Sequence, residues 1–207
     1  MNQEELNRQL LEAAEKGDTD RIWELVKQGA DINSARDKDG NTVLMGAAWH
    51  GHLTPELLEA LVSIGADVNA SDEDGMTVLM HSAYSGHLTP ELLEAFMKNG
   101  AYINVQTIGG WTALMRSAYY GHLTPELLDA FMKNGADVNV RTKGGWTALM
   151  LSAGNGHLTP ELLEALVSRG ADVNARNNDG NTALIWSALQ GYLTPELLEA
   201  FASCEAD

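Results

Sequence analysis

The chain has 207 residues, of which 29 are Asp or Glu and 13 are Lys or Arg, so its formal net charge is −16. This excess of acid argues against nucleic acid or an anionic membrane as the partner. The single cysteine, Cys204, excludes a disulfide framework and a thiolate metal site. We find no signal peptide and no apolar run of about 18 residues, and we therefore expect a cytoplasmic protein.

An internal repeat dominates the sequence. The block G-H-L-T-P-E-L-L recurs every 35 residues, and a fifth copy carries Tyr192 in place of His. A fixed period of this size predicts a stack of one supersecondary unit, that is, a solenoid. The five copies of the block begin at Gly51, Gly86, Gly121, Gly156 and Gly191.

The first predicted helix pair differs in sequence from the repeats that follow it. Residues 4–29 predict a helix pair that serves as an N-terminal cap. Each later unit then reads as a Gly-containing turn, a helix of about two turns, and a longer helix that starts at T-P-E, where Thr caps the helix and Pro fits its first position. We place the cap at 1–36 and the repeats at 37–71, 72–106, 107–141, 142–176 and 177–207.

The last repeat lacks a visible polar cap. Its final helix keeps the internal pattern, so we expect Leu197, Leu198 and Phe201 to lie uncovered. A terminal unit of a stack has one interface instead of two, and this end should therefore open first.

The repeat resembles the ankyrin repeat. The motif D-x-x-G-x-T-x-L-x-x-A-A-x-x-G-H runs from Asp37 to His52, and G-A-D-V-N follows from Gly65 to Asn69. The family's usual T-P-L-H reads here as T-V-L-M or T-A-L-M, and the unit is two residues longer than the common 33. The resemblance implies an all-α helix-turn-helix solenoid, with an N-terminal cap, five repeats and short hairpin-like turn tips. It also implies a non-enzymatic protein-binding module without a cofactor.

The histidines give no strong sign of chemistry. The resemblance implies that the histidines after the repeat glycine brace neighbouring layers. His50 and His81 have no second ligand at helical spacing, so we predict no metal site. An enzyme or ligand-binding protein that uses them is the weakest alternative. The bracing histidines are His52, His87, His122 and His157.

Aromatic residues that break the repeat point to a binding surface. In the resembled family the turn tips and the first helix form that surface, and sister repeats place Asn, Met, Ser or Gln where this chain has aromatic side chains. We expect the aromatics of repeats three and four to be exposed, with Leu114 and Leu149 buried, and Trp23 and Trp186 in core or edge packing. The predicted protein-binding residues are Trp49, Met76, Tyr84, Ile108, Trp111, Arg116, Tyr119, Tyr120, Trp146 and Leu151.

These features predict a module that binds a protein partner through aromatic anchors on a concave face. We expect a monomer without a nucleic-acid or membrane partner. A designed or selected binder and a natural bacterial ankyrin protein both fit the near-identical repeats. The alternative is an acidic solenoid that masks the basic surface of a nucleic-acid-binding protein.

Overall fold

The structure is a computed structural model that describes residues 2–204. These residues are all-helical, with no extended strand among them, which confirms the predicted helix-turn-helix solenoid. Each repeat supplies a short helix after the turn and a second helix after T-P-E. The helices of the described residues are α1 (Gln3–Glu15), α2 (Thr19–Lys27), α3 (Val43–Trp49), α4 (Pro55–Ser63), α5 (Val78–Ser85), α6 (Pro90–Lys98), α7 (Ala113–Tyr119), α8 (Pro125–Lys133), α9 (Ala148–Gly154), α10 (Pro160–Ser168), α11 (Ala183–Gln190) and α12 (Pro195–Cys204).

The T-P-E sequence starts the second helix of each repeat as predicted. In α8, the Leu127 amide donates to the Thr124 hydroxyl at 3.2 Å, and Pro125 occupies the first turn. This bond satisfies one of the amides that a helix start leaves without an intrahelical acceptor. The same bond, also at 3.2 Å, is made by Thr54, Thr89, Thr159 and Thr194.

The turn tips are held by side-chain caps more than by strand pairing. The Asp37 carboxylate accepts from the amides of Asp39 and Asn41 at 2.9 and 2.8 Å, and Gly40 takes a φ of +84°. This is the conformation in which glycine avoids the penalty of a Cβ. The hairpin-like tips that the sequence predicts amount, within residues 2–204, to single β-bridges at Arg36 with Thr42 and at Ser71 with Thr77.

The chain divides into two compact units, Met1–Tyr102 and Ile103–Asp207. In the first unit α1 packs against α2 and α3, α3 against α5, and α4 against α6. In the second unit α9 packs between α7 and α11, and α10 between α8 and α12. Each unit therefore buries one apolar core between its helix rows. Fully buried members are Leu10, Ile22, Leu44 and Phe96 in the first unit, and Phe131, Leu163 and Leu166 in the second.

Four asparagines of the G-A-D-V-N segments and their variants join consecutive layers. The Asn33 side chain donates to the Gly65 carbonyl at 2.7 Å and accepts from the Asp67 amide at 2.9 Å. Because the amide group both donates and accepts, one residue satisfies two backbone groups of the next layer. The same pair of bonds links Asn69 to Gly100 and Tyr102, Asn104 to Gly135 and Asp137, and Asn139 to Gly170 and Asp172.

The repeat histidines contact the preceding layer. A Cβ added at Gly51 would lie 2.6 Å from the His87 ring, and one at Gly121 would lie 2.7 Å from the His157 ring. The glycine therefore provides the room in which the ring of the next layer packs. This contact agrees with the bracing role that the resemblance implies.

The expectation of an uncovered last helix is wrong for two of three residues. Leu197 and Phe201 are buried, because α12 turns this side of the helix towards α10. Leu198 is 48% exposed, as expected. The buried residues of α12 are Leu197, Ala200 and Phe201, even though no further repeat follows this helix in the described residues.

Candidate functional site

A groove of about 250 Å³ lies on the second unit, over the first helices of its repeats. Its lining contains no charged side chain and four large aromatic rings. We call it the aromatic groove. Its lining residues are Trp111, Tyr119, Trp146, Leu151, Gly154, Asn155, Trp186 and Gln190.

The two indoles Trp111 and Trp146 are placed by their turns. The Trp111 amide donates to the Thr107 hydroxyl at 3.1 Å, and the Trp146 amide donates to Thr142 at the same distance. Both threonines are buried, and they replace the aspartate that caps the same turn at Asp37. The turns thus keep their side-chain cap without adding a carboxylate beside the indoles.

Small residues make room for the rings. A Cβ at Gly144 would lie 2.8 Å from the Trp146 ring, and a Cβ at Gly154 would overlap the Trp186 indole. Real Cβ atoms do not approach this closely, so both glycines are needed for the observed ring positions. Gly154 stands where repeat three has Tyr119, and its lack of a side chain admits Trp186 to the groove.

The rings contact one another in two groups. Trp146 and Trp186 have centroids 4.9 Å apart at an angle of 60°. Trp111 and Tyr119 meet edge to face at 5.3 Å, and Tyr119 meets Tyr120 in the same manner at 4.8 Å. These separations are in the range in which aromatic pairs attract each other beyond simple burial. The groove walls are therefore held in place by ring contacts.

A cation completes one end of this cluster. The Arg116 guanidinium lies 4.8 Å from the centroid of the Trp111 ring. This is within the distance at which a guanidinium and an indole attract each other. Arg116 thus sits among the predicted site residues and is ordered by the aromatic neighbour.

The predicted exposure of the aromatics needs correction. Trp111, Tyr119, Tyr120 and Trp146 are half-buried, whereas the sequence led us to expect substantial exposure. The cause is their packing against one another, which a pattern of single positions does not display. The buried positions of Leu114 and Leu149 are confirmed.

Three other predicted residues lie in three different environments. Ile108 is 65% exposed at its turn tip and is not among the groove residues. Leu151 is 5% exposed, so it is a floor residue of the groove rather than the surface position that we expected. Met76 is 8% exposed, and the expectation that it stands on the surface is wrong.

The remaining predicted residues lie on the first unit. Trp49 is 42% exposed and stacks on Tyr84 with centroids 4.7 Å apart and planes at 21°. Its ring also meets His81 edge to face at 5.8 Å. His81 is buried, with Nε2 2.9 Å from a carboxylate oxygen of Asp72. This histidine is therefore part of a packed aromatic cluster.

Sequence reasoning missed Trp186, Asn155 and Gln190 as groove residues. A signal for Trp186 was present, because its position in the first helix holds a different residue in every repeat. A position whose side chain changes in every layer is not fixed by the shared core. The equivalent residues are Gly46, His81, Arg116, Leu151 and Trp186.

The described residues contain neither a cluster of metal ligands nor a membrane-spanning helix. Among residues 2–204, no group of three or more His, Cys, Asp or Glu side chains is placed to hold a metal ion. In the same part of the chain, no helix combines the length and the apolar character needed to cross a membrane.

Comparison with known proteins identifies the family. The family model described as Ankyrin repeats (3 copies) matches residues 5–72, 47–124 and 114–207. A search of curated proteins finds no similar sequence. Ankyrin repeats are in general non-enzymatic modules for protein–protein interaction. Because the matches span nearly the whole length, the chain belongs to the ankyrin-repeat family.

Proposed function

We propose that this protein is a non-enzymatic binding module that holds a protein partner in the aromatic groove of its second unit. The observation that carries the proposal is the concentration of Trp111, Tyr119, Trp146 and Trp186 in one uncharged groove. Trp and Tyr are the residue types that most often dominate binding energy at protein interfaces. The partner surface that fits such a groove is apolar.

The scaffold does not require these rings. The position of Trp111 and Trp146 holds Asn41, Met76 and Asn181 in the sister repeats, which form the same turn and helix. The aromatic groups are therefore additions to a fold that is complete without them. Half-buried rings with fixed neighbours lose little conformational freedom when they bind, which favours affinity.

The polar groups of the groove can orient a bound segment through hydrogen bonds. Asn155 donates from its side chain to the Leu151 carbonyl at 2.7 Å, which holds the amide in place beside the rings. Gln190 is exposed at the end of α11. Amides and indole N–H groups can pair with the backbone of a bound segment, while the rings cover its apolar side chains.

The test is a binding measurement on matched variants. A partner is captured on the immobilised protein, and its dissociation constant is measured by calorimetry for wild type, Trp111→Ala and Tyr119→Ala. Each substitution should weaken binding by about 2 kcal/mol, roughly thirtyfold, with a change in the free energy of unfolding of about 1 kcal/mol.

The control is Tyr102→Ala, which removes an aromatic ring that is 68% exposed and lies on the first unit. Its affinity should equal that of wild type. Groove variants that unfold the protein, or that bind the partner as wild type does, would refute the proposal.

The acidic charge supports a second candidate, the masking of a basic protein surface. Residues 1–102 hold 18 acidic and 7 basic side chains, whereas residues 103–207 hold 11 and 6. The first unit thus carries 11 of the 16 net negative charges, and a partner that binds there by charge is basic. Binding that is lost in 0.5 M salt but is unchanged by Trp111→Ala would favour this candidate.

We further propose that the protein is a cytoplasmic monomer that binds neither nucleic acid nor membrane. Its near-identical repeats support an engineered binder and a natural ankyrin protein equally. Sedimentation of the purified chain tests the monomeric state directly.

A further inference from the structure

A second concave site lies on the first unit, between α1, the turn before α3, and α3 itself. Its volume is about 300 Å³. Carboxylates of Glu15, Asp37 and Asp39 stand around it, and Met45 and Trp49 form part of its apolar wall. We call it the acidic pocket. It is separate from the aromatic groove in position and in chemistry.

The acidic pocket exists because one repeat position is empty. Gly46 stands where the other repeats carry His81, Arg116, Leu151 and Trp186. A Cβ added at Gly46 would lie 3.6 Å from the Glu15 side chain, which is ordinary contact. The backbone therefore accepts a side chain here, and in this repeat the space is left open.

The charge of the pocket is one-sided. No Lys or Arg is among its lining residues. The neighbouring Arg36 donates to the carbonyls of Gly40 and Ser71 at 2.8 and 3.0 Å, so its guanidinium is engaged with the turns. The pocket also belongs to the unit with the larger excess of acidic residues. Charge complementarity therefore calls for a cation.

The carboxylate of Asp37 is held ionised. Burial opposes its charge, but hydrogen bonds from the side chain and amide of Asn41 and from the amide of Asp39 outweigh burial and lower the pKa of Asp37 below its ordinary value. The same bonds fix the orientation of the carboxylate. An oriented anion is the preferred partner of a planar guanidinium.

The protein itself shows which cation suits this place. In repeat three the position of Gly46 carries Arg116, and its guanidinium lies 4.8 Å from the Trp111 ring. A guanidinium beside an indole is thus already accommodated at this level of the repeat. In repeat one the built-in guanidinium is missing and Asn41 replaces Trp111, but Trp49, at the position of Tyr119, supplies another indole beside the three acidic residues that line the space.

We propose that the acidic pocket binds the guanidinium group of an arginine side chain presented by a partner protein. Arginine fits better than lysine, because a guanidinium can pair with two carboxylates in its plane and also lie against an aromatic ring. The ammonium of lysine is more strongly hydrated and offers no such plane. This inference goes beyond the proposed function, since it concerns another unit and a different chemistry.

The experiment is a titration of the full chain, labelled with ¹⁵N, with the capped peptide Ac-Gly-Arg-Gly-NH₂. The indole N–H signal of Trp49 and the amide signal of Asp39 should move together, with a dissociation constant in the millimolar range. The peptide with Lys in place of Arg should bind at least threefold more weakly, and the peptide with Gln at least tenfold more weakly. Equal binding of the Arg and Lys peptides would overturn the assignment to a guanidinium.

Variants decide whether the pocket is responsible. Gly46→Leu fills the pocket with the side chain that Leu151 places at the equivalent position. This variant should bind the Arg peptide at least tenfold more weakly, while its circular dichroism spectrum stays unchanged. The double variant Glu15→Gln with Asp39→Asn should bind the Arg peptide at least fivefold more weakly. It replaces Gly46→Leu as the test if that variant does not fold.

The control pair, Glu164→Gln with Asp179→Asn, removes two exposed carboxylates from the second unit and should bind as wild type does. Undiminished binding by the Glu15 and Asp39 variant would overturn the proposal, as would equal losses in the control pair. The aromatic groove is intact in all these variants, so the outcome does not depend on the proposed function.

Discussion

The two units use one repeat to make two different surfaces. In the first unit Gly46 leaves a space that carboxylates surround, whereas in the second unit the equivalent positions hold Arg116, Leu151 and Trp186, of which Leu151 and Trp186 line an uncharged groove. The capping threonines, the glycine turns and the layer-joining asparagines are the same in both. The difference therefore comes from a few side chains on a scaffold that tolerates large changes of size and charge.

Glycine has opposite roles in the two surfaces. A Cβ at Gly46 would make only an ordinary contact of 3.6 Å with the Glu15 side chain, whereas a Cβ at Gly154 would overlap the Trp186 indole. A glycine inside a helix costs about 0.5–1 kcal/mol relative to alanine, and this cost is worthwhile only where a side chain would collide. The two positions therefore offer the most direct contrast between the units.

The largest predicted effect is that replacing glycine by alanine changes the free energy of unfolding in opposite directions at Gly154 and at Gly46. Gly154→Ala should lower the free energy of unfolding by about 1–3 kcal/mol, because its Cβ must displace Trp186. Gly46→Ala should raise it by about 0.5–1 kcal/mol. Urea unfolding of the two variants measures both. A stabilised Gly154→Ala protein would show that Trp186 does not lie over this glycine.

The second prediction concerns the terminal repeat of the second unit. Ile185 and Leu198 are 38% and 48% exposed, whereas their equivalents Met150 and Leu163 are buried by the following repeat. A helix pair with one apolar side open is held by fewer contacts, so it should open more readily than an internal pair.

Hydrogen exchange should therefore be roughly tenfold faster for the helix amides of residues 182–202 than for those of 112–132. The helices α1 and α2 of the first unit serve as the comparison, because they stand at the other end of the described helices. Equal protection of residues 182–202 and 112–132 would contradict the prediction, unless a second chain covers this end; sedimentation checks that point.

Local features of both units could be predicted from the sequence. The starts of α4, α6, α8, α10 and α12 at proline follow from T-P-E alone, because a cap involves residues three apart in the chain. The burial of Leu114 and Leu149 follows from the shared period. Such features need no knowledge of the neighbouring layer.

Features that depend on the neighbouring layer could not be predicted in this way. Trp186 lines the groove only because Gly154, 32 positions earlier, leaves room for it. Met76 is buried although its equivalents include Asn41 and Trp111, which are half-buried. The size of one side chain decides where another can lie, and a list of single positions does not contain that information.

The third prediction separates the two surfaces by salt. The screening length falls from roughly 14 Å at 50 mM salt to about 4 Å at 500 mM, so attraction between exposed charges weakens strongly. The dissociation constant of the arginine peptide at the acidic pocket should rise at least threefold over this range. That of a partner in the aromatic groove should change less than twofold. Isothermal titration at three salt concentrations provides both values, and a reversed order would break the contrast between the units.

The smallest predicted effect is a pH dependence that both units share. In each T-P-E start the glutamate, such as Glu56 or Glu126, has its pKa lowered from the ordinary value of 4.5 by a hydrogen bond with its own amide and then by one with the capping threonine. A folded-state pKa below the unfolded value means that the stabilisation is complete above pH 4.5. It is lost as the pH falls through the folded-state pKa.

Glu56→Gln and Glu126→Gln should therefore lower the free energy of unfolding at pH 7, while the deficit relative to wild type should shrink as the pH falls through the folded-state pKa and the wild-type carboxyl becomes protonated. The control is Glu164→Gln, which removes the same charge from an exposed position beyond the first turn of α10. Each of the three variants removes one negative charge, and Glu126 and Glu164 lie in the same unit, so a capping role should make Glu126→Gln differ from Glu164→Gln. Urea unfolding at pH 7, 5 and 3 measures this difference, and parallel curves for all three variants would show that the glutamates contribute no more than their charge.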